Sequence, residues 1–112
     1  MKITTEDRDG IHVLRCQGAL ALGIAVDAFD TACRQCIGKA RGIVLDLSAV
    51  PYIDSTGIAT VVAWAKRAAE RGPALKVVLA PEGAVRRAFE ITQLDQVFEV
   101  FGDAEAAVAT FS

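Results

Sequence analysis

The segment IVLDLSAV, residues 43–50, limits the possible folds more than any other stretch of the chain. It is β-branched at its start and apolar almost without interruption, whereas a strand with one wet face alternates. Such a strand is covered on both faces, as in a parallel sheet. A parallel neighbour needs a crossover, usually a helix. The flanking sequence supplies the pieces.

Residues 2–8 and 11–17 flank Asp9-Gly10, a dipeptide suited to a tight turn, and predict an antiparallel hairpin. From Leu22 to Ile37, apolar residues recur at Leu22, Val26, Phe29, Cys33 and Ile37, with Gly38 as a stop. A second helix is predicted over about 57–71. Its buried stripe is Ile58, Val61, Val62, Ala65 and Ala69, and Gly72-Pro73 ends it. LKVVLA (75–80) reads as a short buried strand. Residues 83–92 form a third helical pattern through Val85, Phe89 and Thr92, FEVF (98–101) an edge strand, and Asp103 the N-cap of a closing helix.

This order predicts one α/β domain over residues 1–112. Its mixed sheet has an N-terminal hairpin, then parallel βα units, packed against about four helices. Sites in such sheets lie beyond the carboxyl ends of the strands. Asp46, Ser48, Asp54 and Ser55 fall at or just after one such end.

Composition narrows the chemistry. A formal net charge of -2 gives no nucleic-acid footprint and no polybasic membrane patch. No apolar run reaches the ~18 residues of a membrane span, and MKITTEDRDG lacks the apolar core of a signal peptide. Three cysteines do not suggest a disulfide framework. A reduced, cytoplasmic setting follows.

Catalytic arrangements find little support. Cys33 and Cys36 have the CxxC spacing, but inside a helix rather than at its start, and only Cys16 and His12 remain as further soft ligands. GALALGIA (18–25) has glycines spaced like a phosphate loop, yet Ile24 and Ala25 stand where Lys and Ser or Thr are needed. Ser55 lacks a GxSxG elbow, and the single histidine lies in the hairpin. Asp46 follows a buried strand like a phospho-receiver aspartate, but QGALAL offers no acidic pair and Lys76 begins its strand. No enzyme activity, cofactor or metal is expected.

What remains is YIDSTGIAT, residues 52–60. Helix capping explains part of it: Ser55 or Thr56 would accept from helix amides, and Asp54 would gain from the helix dipole. One hydroxyl suffices for the cap. The other would face solvent beside a helix N-terminus, where a covalent phosphate is well tolerated.

DLSAVPYIDSTGIATVVAWAKRAAERG resembles the central signature of STAS domains, and VVLAPEGAVRRAFEITQLDQVFEVF follows the same family's pattern. The resemblance implies a mixed sheet with an antiparallel first strand. For a stand-alone member it implies an anti-sigma-factor antagonist in a partner-switching system that regulates transcription. Ser55 would be the phosphoacceptor and Asp54 its acidic neighbour, with Thr56 and Gly57 completing the contact loop. The implied partners are an anti-sigma serine kinase and a resetting serine phosphatase of the PP2C type, with no nucleic acid and no direct membrane insertion. An alternative is an adaptor subunit of a membrane lipid-transport ATPase complex. The chain departs from the family where an acidic G-E-L-D segment becomes Gly18-Ala19-Leu20-Ala21, and where Thr-Gly-Leu becomes Thr92-Gln93-Leu94. Trp64 falls at the edge of the second helix's stripe, about 120° from its centre. It is read either as boundary packing or as a partly exposed partner anchor.

Overall fold

The computed structural model describes residues 1–111. The strands are β1 (Lys2–Arg8), β2 (Ile11–Gln17), β3 (Gly42–Ala49), β4 (Ala74–Val78) and β5 (Val100–Phe101). The helices are α1 (Ile24–Ile37), α2 (Ser55–Arg71), α3 (Ala84–Ile91) and α4 (Ala104–Ala109), with a 3-10 turn at Leu94–Gln96. The five strands lie side by side in sequence order, β1 antiparallel to β2 and all later pairs parallel. The turn between β1 and β2 puts both Asp9 (φ 53) and Gly10 (φ 88) in the left-handed region, the twist a two-residue hairpin needs.

Because the strand order never reverses, right-handed crossovers carry α1, α2 and α3 to one face. Only α4 covers the other. β3 serves both layers by alternation: Ile43, Leu45 and Leu47 join the α1–α3 core, while Val44 packs with Ile11, Val13, Val78, Ala104 and Ala107 beneath α4. The α4 side also carries an ionic lattice. Glu6 accepts from Arg8 (2.8 Å) and Arg15 (2.5 Å), and Arg8 reaches on to Glu105. Arg8, then Arg15, hold the Glu6 carboxyl down at about 2.

Several predicted details shift. Leu22 precedes α1 and is 80% exposed, because Gly23 (φ 112) starts the helix after it. α2 begins at Ser55, and its fully buried residues are Gly57, Val61, Trp64 and Ala68. The predicted stripe is therefore rotated. Periodicity cannot tell which of two apolar flanks meets a neighbour; α1 closes over the Trp64 side, while Val62, Ala65 and Ala69 border an open groove with Leu75, Leu94 and Val97. β4 stops at Val78, and β5 is only two residues long because Phe98 turns into the core beside Phe89. Thr92 is not on the buried face of α3 but exposed at its C-cap. Gln93 then takes a left-handed conformation (φ 60), where glycine would be unstrained. Among the described residues no helix is long and apolar enough to cross a membrane.

Candidate functional site

Beyond the carboxyl end of β3 the chain turns through Val50 and Pro51 and meets the loop that follows β2. Leu20 and Ile53 form a parallel bridge, and the Leu20 amide donates to the Tyr52 carbonyl (3.0 Å). This pairing fixes where α2 starts. Asp54 has extended backbone (φ -101) and is the N-cap, its Oδ1 accepting from the Gly57 amide (2.8 Å). Its Oδ2 accepts from the Leu22 amide across the gap (3.1 Å). The capping role predicted for Ser55 or Thr56 thus belongs to Asp54. The Gly57 amide, then that of Leu22, hold the Asp54 carboxyl below the ordinary carboxylate value, since both bonds favour the charged form.

Gly57 is buried against the β2–α1 loop. A Cβ there would lie 2.3 Å from the Leu20 carbonyl oxygen and 2.7 Å from Ile53 Cγ1, so the close approach requires glycine. Ser55, the first residue of α2, is exposed, and its hydroxyl has no hydrogen-bond partner among the described residues. Thr56 is half-buried, and its carbonyl accepts from the Thr60 hydroxyl (2.8 Å). Asp54, Ser55 and Thr56 therefore form one small surface in which Ser55 is left free, while Gly57, expected to complete the contact loop, is buried beneath it and builds the loop from inside.

Trp64 does not join that surface as an exposed anchor. It is 3% exposed, with its indole N–H donating to Asp30 Oδ1 (2.6 Å) and its ring covered by the guanidiniums of Arg67 and Arg34. Sequence reasoning missed two residues that do lie exposed beside the loop, Leu22 and Tyr52. Gly23, a residue type that also serves as an N-cap, was the signal that Leu22 stands outside α1.

The alternative chemistries are not assembled. His12 pairs in register with Ile43 near the start of β3, whereas Ser55 lies beyond its far end, so no serine–histidine pair forms. Burial pushes the Cys16 thiol up to about 12 and raises those of Cys33 and Cys36 as well, the opposite of a reactive thiolate. Asp46 is tied locally by the Ser48 hydroxyl (2.6 Å) and amide (3.0 Å). No group of three or more His, Cys, Asp or Glu side chains suited to a metal occurs among the described residues.

A sheet opening on an antiparallel hairpin, with a capped serine loop after its third strand, defines a known class. The family model described as the STAS domain matches residues 2–107, and the chain belongs to that family. It is 32% identical over 112 residues to BtrV of Bordetella bronchiseptica, whose name assigns it provisionally to the anti-sigma factor antagonists; the match covers 99% of this chain and 95% of BtrV. An anti-sigma factor antagonist from Mycobacterium paratuberculosis superposes with a TM-score of 0.82 at 25% identity, over 97% of this chain and 92% of that one. The phosphorylated form of the Bacillus cell fate determinant SpoIIAA shares the fold, with a TM-score of 0.73 at 19% identity over 99% of this chain and 100% of that one.

Proposed function

We propose that this chain is a cytoplasmic anti-sigma factor antagonist, a single non-enzymatic STAS module switched by phosphorylation at Ser55. Unphosphorylated, it binds an anti-sigma factor that is a serine kinase; phosphorylation releases it, and a PP2C-type phosphatase resets it. The observation that carries the reading is the division of labour at the start of α2. Asp54 makes the cap, Gly57 makes the close contact, and the Ser55 hydroxyl is exposed and unengaged.

The physical consequence follows from charge. Phosphate adds roughly -1.5 to -2 charges beside an ionised carboxylate. On the free protein the phosphate stays in water near the helix amides, so the fold tolerates it. In a closed interface the same charge loses its water without gaining a partner. Binding should respond far more than folding.

Incubation with the cognate kinase and ATP, followed by peptide mass spectrometry, should locate one phosphate on Ser55. Ser55→Ala should hold the kinase persistently, and Ser55→Asp should bind it about 100-fold more weakly. Modification of Thr56 alone, or equal binding by both variants, would overturn the assignment.

A further inference from the structure

Three arginines line the trough between the C-terminal halves of α1 and α2. Arg34, Ile37, Trp64, Arg67, Glu70 and Arg71 enclose about 580 Å³ there. Three arginines against one glutamate give this trough a net charge of +2, on a chain whose net charge is -2. Among the described residues none of the three is paired with a carboxylate, whereas Arg8 and Arg15 on the opposite side of the sheet are both neutralised. Arg34 and Arg71 sit in the last turns of their helices, where the dipole favours a cation. Arg67 does not.

Two of the three arginines are also held in place. Trp64 is fixed by its bond to Asp30, and the guanidiniums of Arg67 and Arg34 lie 4.6 and 5.8 Å from the ring centroid. Among the described residues neither guanidinium donates a hydrogen bond, so their N–H edges are free for a planar acceptor such as a carboxylate. Trp64 and Arg67 also belong to a second depression that continues past Ala63, Thr60 and Ala59 to Thr56. From Thr56 to Arg71 the helix spans roughly 22 Å, the length of about seven extended residues.

We infer that this trough docks an extended acidic segment of a partner protein, with its Asp or Glu side chains over Arg34, Arg67 and Arg71 and small neutral residues toward Thr56. The polarity follows from Asp30, which lies at the Thr56 end. A lipid surface fits less well, because the exposed large hydrophobics Leu22, Tyr52, Ile91 and Val97 all lie outside the trough. A nucleobase fits less well too, since the arginines already cover the indole. The inference does not depend on the state of Ser55.

The test is a nitrogen-15 NMR titration of the whole chain with a blocked heptapeptide of three alanines and four glutamates. The Trp64 indole N–H and the Nε–H signals of Arg34, Arg67 and Arg71 should shift and saturate, while a peptide with glutamine for glutamate should move none. Arg67→Gln and Arg71→Gln should each weaken binding about tenfold, and Arg87→Gln, on α3, should leave it unchanged. Should Arg67→Gln expose Trp64 and fail to fold, Arg71→Gln carries the comparison with Arg87→Gln. Absence of shifts, an equal loss in Arg87→Gln, or saturation of the same signals at lower concentration by inorganic phosphate or anionic phospholipid vesicles would overturn the proposal.

Discussion

Helices α2 and α4 begin alike and end up presenting opposite sides. Each opens on an aspartate with extended backbone whose Oδ1 accepts from the amide three residues on, Asp54 from Gly57 (2.8 Å) and Asp103 from Ala106 (2.7 Å). In α4 the first residue, Ala104, is buried under the sheet and the third, Ala106, is exposed. In α2 the first, Ser55, is exposed and the third, Gly57, is buried. First and third positions lie about 200° apart around a helix, so burying one turns the other outward. The contact between Gly57 and the Leu20 carbonyl therefore does more than pack the helix. It aims Ser55 at solvent.

The largest effect should come from filling that contact. Gly57→Ala puts a Cβ 2.3 Å from a backbone oxygen, which no side-chain rotation relieves. Destabilisation of about 2–3 kcal/mol is expected by urea unfolding. The matching change in α4, Ala106→Gly, should cost no more than about 1 kcal/mol, the ordinary helix propensity difference. Similar losses at the two sites would break the comparison.

Next come the caps. Asp103→Ala should cost about 1 kcal/mol, because it removes a single capping bond. Asp54→Ala removes a cap and also frees the Leu22 amide, so its melting temperature should fall about twice as far. The pH dependence has a definite sign. The folded Asp54 carboxyl titrates below its unfolded value, so its contribution is complete above about pH 4 and is lost as the pH falls through the lower folded value. The stability gap between wild type and Asp54→Ala should hold from pH 7 to 5 and narrow toward pH 3. Glu6 and Glu105 also lose stabilising charge in acid, but that loss is common to both proteins and cancels in the difference. A gap that widened in acid would contradict the assignment.

The same two helix starts mark what could be read from sequence. Asp103 was legible as a cap because its helix needs only local bonds. At α2 the spacing alone gave the cap to Ser55 or Thr56 and left Asp54 only a favourable place in the helix dipole, whereas Asp54 makes the cap. What decides is the Leu20–Leu22 backbone, over thirty residues earlier in the chain, which no local pattern reveals. The hairpin at Asp9-Gly10 and the two-sided strand IVLDLSAV were readable for the converse reason: turn chemistry and apolar pattern each determine them nearly alone. Trp64 fails in the other direction. Helical period sets its angle on α2, but its burial depends on Asp30 and Arg34 of α1. Tertiary partners of that kind are invisible to periodicity.

The smallest effect is the most discriminating. Ser55→Ala removes a hydroxyl that is exposed and bonds to nothing among the described residues, so stability should change by no more than about 0.5 kcal/mol. α4 already shows that alanine is acceptable in this place, since Ala104 follows Asp103 as Ser55 follows Asp54. Thermal and urea unfolding of Ser55→Ala beside Asp54→Ala would measure the contrast directly. If the serine variant lost as much as the aspartate variant, the hydroxyl would have to be engaged with the helix amides, and the proposed role of Ser55 would lose its support. A near-silent Ser55→Ala in the same protein where Gly57→Ala and Asp54→Ala are costly would show that Asp54 and Gly57 hold the loop and that the Ser55 hydroxyl does not, which is what the proposed switch requires.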